Sequence, residues 1–336
     1  MIHIGVDLHR TFCYVTALDA NGSVLHQGRI NNQREALQEY FRRWPSPVRV
    51  VFEACSFWPA FVEAVESEVA QLYMVHPQRV KAIASAKLKN DRVDSLTLAH
   101  LLRADLLPLA WLADRETRQR RTRTRVRIEL GRLRTRLKNR IHALLHQQGL
   151  RPPVSDLFGK AGRAWLATAP LPPAEQEAMV CYLALLDSCQ QQVEQRQRAL
   201  LAATADDDRV RWLSSIPGIG GYGANIILAE IGDITRFDRK ALFSFAGLVP
   251  RVRESADKSW HGPITRAGSS RLRWIMVEAA VTAVRTSPGA RAFFERLCRR
   301  KPRHVARVAL ARKLLGAVYA LLRDGVCFDE AVFATM

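Results

Sequence analysis

The sequence predicts an α/β domain over residues 1–108, a pair of long antiparallel coiled-coil helices over 109–205 and a helical C-terminal domain over 206–336. Three observations carry this prediction. Strand-like and helix-like patterns alternate in the first region, an arginine-rich helical pattern follows, and the remainder has mainly helical spacing. The chain has 336 residues, of which 48% are hydrophobic. This proportion suffices to build such cores and argues against extended disorder.

The first domain begins with a period-two pattern, because Ile2, Ile4 and Val6 alternate with His3 and Gly5. The predicted elements are, in chain order, strands over 2–7, 12–18 and 24–30, a helix over 37–44, a strand over 48–53, a helix over 59–68, a strand over 71–75 and a helix over 92–104. Three antiparallel strands followed by crossover units is the ribonuclease H-like order. It predicts that the first and fourth strands are neighbours.

The middle region is dominated by one basic helix over 113–148. Eleven arginines and one lysine fall between Arg115 and Arg140, against two glutamates. Like charges at this density repel along a helix and favour a polyanionic partner over a merely solvated surface. Apolar residues at heptad-like spacing predict packing against a second helix over about 174–201, and they are Val126, Leu130, Leu133, Leu137, Ile141 and Leu144.

The last region is predicted to contain six helices, over about 209–215, 221–231, 239–246, 269–285, 289–298 and 304–323. The stretch from Pro250 to Gly268 has no clean periodicity and is predicted to be a long loop. Long loops in compact domains are often functional.

The charge predicts a polyanionic partner, since 51 lysines and arginines outnumber 32 aspartates and glutamates to give a net charge of +19. Nucleic acids and anionic surfaces both satisfy this observation. None of the six cysteines forms a Cys-x-x-Cys pair, which is typical of reduced thiols in a cytoplasmic protein. The sequence has neither a secretory signal pattern nor an apolar run long enough to span a membrane.

Four carboxylates are the strongest candidates for chemistry. Asp7 and Glu53 stand at the ends of the first and fourth predicted strands, while Asp91 and Asp94 are three apart and share one face of a helix. Four converging carboxylates repel unless divalent cations neutralise them, and oxygen ligands suit Mg²⁺. Each residue alone could merely end a strand or cap a helix. Their order and positions together predict a magnesium site for phosphodiester chemistry.

A second motif, Leu-Ser-Ser-Ile-Pro-Gly-Ile-Gly over 213–220, resembles a helix-hairpin-helix. We expect Gly218 and Gly220 to let the backbone approach a phosphate at the next helix N-terminus. A plain connection between helices is the alternative.

The third candidate is the basic stretch that contains Ser255. A serine in a loop is by itself a weak candidate for a nucleophile. Cations around it could stabilise a pentavalent phosphate, and those in this stretch include Arg251, Arg253, Lys258 and Arg266.

These motifs occur in one order: IGVDLH, VVFEACS, KNDRVDS, SIPGIG and FAGLVPRVRES. In that order they resemble the IS110 family of insertion-sequence transposases, which includes the Piv invertase-like recombinases. The resemblance spans nearly the whole chain. It departs from many relatives after Glu53, where Ala-Cys-Ser-Phe-Trp replaces Ala-Thr-Gly and a tyrosine, and at Ala256, where glycine is common.

The resemblance implies an RNA-guided DNA transposase whose RuvC-like domain binds Mg²⁺ through Asp7, Glu53, Asp91 and Asp94. It implies that Ser255 attacks DNA to form a covalent phosphoserine link. The partners implied are target and donor DNA, a structured non-coding guide RNA, and further copies of the chain, as homodimers assembling into a tetrameric synapse.

The resemblance also implies a cytoplasmic protein that acts on the nucleoid. It makes the basic helix, with Arg123, Arg127 and Arg134, a plausible RNA and dimer contact. Two rival functions are a hydrolytic nuclease of the junction-resolving kind, using water in place of serine, and a non-catalytic scaffold for RNA and DNA.

Overall fold

The computed structural model describes residues 1–45, 47–83, 90–255 and 258–330. Side chains are described for all of these except residues 252–255, 258, 259 and 261. The chain divides into two compact units, Met1–Ala113 and Asp114–Met336. Our division of the second unit at residues 205 and 206 stays a prediction.

The first unit is built on a six-stranded mixed sheet with the order β3-β2-β1-β4-β5-β6. Its strands are β1 (Ile2–Leu8), β2 (Phe12–Leu18), β3 (Val24–Asn31), β4 (Val48–Glu53), β5 (Gln71–Val75) and the short β6 (Leu109–Ala110). Strands β1, β4 and β5 are parallel neighbours, while β1 pairs antiparallel with β2, and β2 with β3. The predicted adjacency of the first and fourth strands is confirmed, and the order is consistent with a ribonuclease H-like domain.

The helices of this unit are α1 (Arg34–Arg42), α2 (Trp58–Val65), α3 (Pro77–Ile83) and α4 (Asp91–Arg103). Alternate residues of β1 and β4, such as Ile4 and Phe52, pack with α1 and α2 in one core. On the other face, Val51 packs with Leu98 and Leu102 of α4. Helix α3 was not predicted, because its short pattern lacks a full amphipathic repeat.

The second unit begins with the 33-residue α5 (Arg115–Gln147), followed by α6 (Lys160–Thr168) and the 30-residue α7 (Pro173–Ala202). Two side-chain pairs between α5 and α7, Arg127–Gln197 and Arg134–Gln190, and a third from the C-cap of α5, Gln148–Glu175, progress in opposite directions along the two helices. The helices therefore run antiparallel, as predicted.

The apolar seam predicted along α5 is correct only in its second half, where Leu137 and Ile141 are buried. Val126 and Leu133 are 46% and 41% exposed. Thr124 and Ile128 are buried in their place because the first half of α5 packs against a helix of the last region as well as against α7. Packing against two neighbours rotates the buried stripe away from a simple heptad.

The remaining helices share one apolar core. They are α8 (Asp208–Ser214), α9 (Gly221–Ile231), α10 (Arg239–Phe245), α11 (Ser270–Thr286), α12 (Pro288–Cys298) and α13 (Arg303–Asp324), with a short 3-10 turn over Ile234–Arg236. All six were predicted within about one residue of these bounds.

The prediction of a long loop from Pro250 to Gly268 is wrong. Two antiparallel strands, β7 (Pro250–Ser255) and β8 (Lys258–Ile264), form a hairpin there. The register shifts between Pro250 and Val252, and such an irregularity breaks the strict alternation by which strands are recognised in sequence.

Candidate active site

Two acidic residues lie side by side at one edge of the central sheet. Val6 of β1 pairs with Phe52 of β4 in parallel register, so the next residues of the two strands are Asp7 and Glu53. Both Val6 and Phe52 point into the core formed with α1 and α2. Since strand side chains alternate, Asp7 and Glu53 belong to the opposite face, on which α4 packs.

Helix α4 lies unusually close to β1. A Cβ added to Gly5 would lie 2.1 Å from the carbonyl oxygen of Ser95, so only glycine permits this approach. The hydroxyls of Ser95 and Thr16, both buried, are 2.7 Å apart and tie the helix to β2. Asn90 caps the helix by accepting a hydrogen bond from the Val93 amide.

These contacts fix the N-terminal turn of α4, and that turn carries Asp91 and Asp94. The structure thus places all four predicted carboxylates on β1, β4 and the first turn of α4. Two of them, Asp7 and Asp91, contact a common partner.

That partner is His9, which was not predicted. Its Nε2 lies 3.2 Å from Oδ2 of Asp7 and 3.3 Å from Oδ1 of Asp91. Its ring stacks on Phe12 with 4.5 Å between ring centroids. The sequence contained one signal for His9, because it stands two residues after Asp7, where a strand repeats the same face.

The three side chains form a candidate cation site, since one ligand atom from each of Asp7, His9 and Asp91 lies within 4.8 Å of the others. Burial raises the pKa of Asp7; nearby His9 opposes this shift, and the carboxylates of Asp91 and Asp94 add to it. A divalent cation would relieve the same repulsion. The carboxylate oxygens fit Mg²⁺, while an imidazole nitrogen is a ligand more typical of transition metals.

In the second unit, the glycine motif is explained in part by packing. Gly218 has a φ of +87°, and a Cβ there would lie 2.2 Å from the carbonyl oxygen of Ala279 in α11. One role of this glycine is thus to admit a neighbouring helix, and its approach to a phosphate stays a prediction. Gly220 is exposed at the N-terminus of α9, with no atom within 4 Å of an added Cβ. The predicted approach of Gly220 to a phosphate stays a prediction.

The arginines of α5 divide into two groups. Arg120 is buried and contacts Asp207, and Arg121 donates to the carbonyl of Ala229, so these two cations stabilise the fold. This partly corrects the interpretation of the whole helix as a free basic surface.

The three arginines of α5 that were predicted to contact nucleic acid belong to the second group. Arg123 is exposed, while Arg127 and Arg134 are half-buried and bind glutamines of α7. In the described part of the chain, none of these three arginines makes a hydrogen bond or an ion pair with a carboxylate.

Ser255 is the last residue of β7, and Arg253 and Lys258 lie on the same hairpin. The side chains of these three residues lie outside the described part of the structure. Arg251 and Arg266 are exposed at the base of the hairpin. Arg266 has a φ of +55°, a conformation that costs a non-glycine residue about 1 kcal/mol and is frequent at functional sites.

Two family models match the chain. Residues 4–149 match a model described as "Transposase", of the DEDD type in IS110 elements, and residues 210–295 match "Transposase IS116/IS110/IS902 family". The DEDD match contains all four predicted carboxylates.

Curated relatives extend the similarity to almost the full length. A "Probable family 20 transposase" of Pseudomonas aeruginosa is 27% identical over 97% of this chain and 98% of its own. The "Transposase for insertion sequence element IS1328" of Yersinia enterocolitica is 26% identical over 97% and 98%. That for IS1111A of Coxiella burnetii is 26% identical over 95% and 89%.

Among the described residues, no helix combines the length and apolarity that crossing a bilayer requires.

Proposed function

Since this chain belongs to the IS116/IS110/IS902 family of insertion-sequence transposases, we propose that it is a magnesium-dependent, RNA-guided DNA recombinase that works through a phosphoserine intermediate. The observation that carries this proposal is the convergence of Asp7 and Asp91 on one point at the edge of the sheet. Glu53 on the adjacent strand and Asp94 on the same helical turn complete a four-carboxylate set.

In the proposal, Asp7, Glu53, Asp91 and Asp94 hold Mg²⁺, with His9 between Asp7 and Asp91. Bound magnesium would supply Lewis-acid stabilisation of the phosphoryl oxygens. The role of the four carboxylates would be to hold this ion beside the reacting phosphate. Asp7 suits this task because its burial makes its negative charge costly until a cation arrives.

The proposed nucleophile is Ser255. Its Oγ would attack the phosphorus of a DNA phosphodiester, forming a P–O bond to serine while the bond to one deoxyribose oxygen breaks. The serine proton leaves to solvent or a base, and the leaving sugar oxygen becomes a hydroxyl. A strand hydroxyl from a second DNA later reverses the step, so exchange needs no external energy source. Arg251, Arg253, Lys258 and Arg266 would stabilise the phosphate charge.

The proposed partners are target and donor DNA, a structured guide RNA encoded by the element, and further copies of the chain in a tetrameric synapse. The net charge of +19 supports polyanionic partners. Gly220 and the exposed Arg123, with Arg127 and Arg134, are proposed contacts to nucleic-acid backbones.

The decisive experiment compares Ser255→Ala with the unchanged protein in a recombination assay with purified RNA, donor and target DNA. We expect a DNA–protein adduct on denaturing gels with the unchanged protein and none with the variant. A variant that recombines at the normal rate overturns the serine mechanism.

The hydrolytic alternative gives a different outcome in the same assay. A nuclease that uses water would release DNA with free ends from the Ser255→Ala protein at the normal rate. A non-catalytic scaffold would show no strand cleavage, and Asp7→Asn would change nothing.

A further inference from the structure

A groove of about 490 Å³ crosses the second unit where α5, α9 and α11 meet. Its lining combines two aromatic rings, Tyr222 and Trp274, with three arginines of α5, Arg127, Arg132 and Arg134. No acidic residue lines it. The groove therefore offers flat apolar surfaces beside positive charge.

Trp274 is the most informative residue of the groove. It lies in the first turns of α11 and is 41% exposed, although its neighbours Leu272 and Ile275 are buried in the core. A large exposed aromatic ring beside cations is the arrangement on which unpaired bases stack.

The guanidinium of Arg127 is held in place by neutral groups, with no carboxylate bound to it among the described residues. It lies 4.6 Å from the ring centroid of Tyr222, and it donates a 2.9 Å hydrogen bond to Oε1 of Gln197. Arg134 similarly donates a 3.0 Å hydrogen bond to Oε1 of Gln190. Because these acceptors are neutral amides, they orient both cations and leave their charge for an anion.

Gly131 gives the groove its width. It lies in the interior of α5, where glycine costs about 1 kcal/mol relative to alanine. A Cβ at this position would lie 3.2 Å from Nη1 of Arg127. Since Tyr222 and Gln197 fix that guanidinium, an alanine at residue 131 would strain these contacts by forcing a shift of a few tenths of an ångström.

We propose that this groove binds an unpaired nucleotide of RNA, with the base stacked on Trp274 and the flanking phosphates held by Arg127 and Arg134. The inference deepens the proposed function, on whose guide RNA it rests. Paired bases cannot present a face to Trp274, whereas loops and bulges of a structured RNA can. Duplex DNA would use the arginines and leave the aromatic ring without a partner.

The test measures binding of a fluorescein-labelled 12-nucleotide single-stranded RNA of mixed sequence to the full-length protein without metal. We expect Trp274→Ala to raise the Kd about tenfold, because one stacked base is lost. Trp274→Phe keeps an aromatic face and should retain most of the affinity. Leu133→Ala is the matched control, because Leu133 is also 41% exposed but does not line the groove.

A charge-matched pair separates the groove from general attraction. Arg134→Ala should weaken binding severalfold more than Arg136→Ala, although both remove one positive charge and Arg136 is fully on the exposed surface of α5. Gly131→Ala should weaken binding while raising the melting temperature, since it improves the helix and disturbs Arg127. If Gly131 had a purely structural role, the substitution would not weaken binding while raising the melting temperature.

Three outcomes would overturn the proposal: Trp274→Ala binds as tightly as the Leu133→Ala control, the two arginine variants weaken binding equally, or single-stranded DNA or duplex RNA binds more tightly than the single-stranded RNA. Neither Mg²⁺ nor Ser255 takes part in this measurement. A protein that binds RNA through Trp274 but fails to recombine would refute the proposed function and leave the groove intact.

Discussion

Asp7 of the first unit and Asp207 of the second are both largely buried aspartates, yet their surroundings are opposite. Asp207 lies against Arg120 and Arg209, and it caps α8 through the Arg209 amide. Despite the opposing effect of its burial, these partners lower its pKa to about 2. Asp7 has a histidine and two further carboxylates nearby, and burial raises its pKa.

The difference separates a structural carboxylate from one that we propose to be functional. The charge of Asp207 is neutralised by residues of its own unit, so it stabilises the fold. Among the described residues, Asp7 forms an ion pair with His9 and none with arginine or lysine, so an external cation would relieve the repulsion from the neighbouring carboxylates. Repulsion retained at a site in this way is typical of ligand binding.

The largest expected effect is on catalysis. Asp7→Asn should lower strand exchange roughly a thousandfold, because a metal ligand that supports several kcal/mol of transition-state stabilisation is lost. Recombination kinetics and a melting curve test this together. The fold should be retained or slightly stabilised, since the substitution removes repulsion. If the Asp7→Asn protein were fully active, Asp7 would have no catalytic role to distinguish it from Asp207.

The next effect concerns stability. Asp207→Asn should destabilise the second unit by about 3 kcal/mol, because the buried Arg120 would lose its only largely buried carboxylate partner among the described residues and keep only the exposed Glu116. Denaturant unfolding measures this. Asp208→Asn is the matched control, since the neighbouring Asp208 forms an exposed pair with Arg211 that contributes less than about 1 kcal/mol. Equal unfolding free energies for the two variants would contradict the structural role.

A pH series should show that the carboxylate of Asp207 contributes about 2 kcal/mol to the unfolding free energy. The folded pKa of Asp207 is about 2, against an ordinary value of 3.8, so its stabilisation is complete above pH 3.8 and is lost as pH falls towards 2. The unfolding free energy should therefore fall more steeply over this window for the unchanged protein than for Asp207→Asn. Parallel curves would show that the ion pairs add nothing.

The smallest expected effect is stabilisation by metal. At tenfold excess over its Kd, Mg²⁺ should add about 1.4 kcal/mol to the stability of the unit that binds it. Thermal unfolding with and without Mg²⁺ should show a rise in melting temperature for the unchanged protein and for Asp207 variants that still fold. Asp7→Asn should show none. A rise that persists in Asp7→Asn would place the metal elsewhere.

Much of the fold of the first unit could be predicted, because local sequence patterns indicate the order of its strands and helices. Period-two strands, helical spacing and the position of each acidic residue at the end of an element sufficed to place Asp7, Glu53 and the Asp91–Asp94 pair. His9 was missed because a histidine after a strand has many roles, and its position between two carboxylates depends on the approach of α4.

The second unit shows where local patterns fail. An arginine in α5 looks the same whether it is buried against Asp207, as Arg120 is, or stands beside Tyr222, as Arg127 does. Gly218 similarly suggested only a phosphate contact, and the sequence did not show that this glycine also admits the backbone of α11. Which face of a helix is covered depends on partners distant in the chain.

The sequence by itself determined the alternation of strands and helices, the basic charge and the acidic residues at element ends, because hydrophobic periodicity and residue chemistry are local properties. Only the tertiary structure decided which charges are neutralised and which are left for a ligand. That outcome depends on distances of a few ångströms between segments far apart in the chain, and electrostatic energies change steeply over such distances.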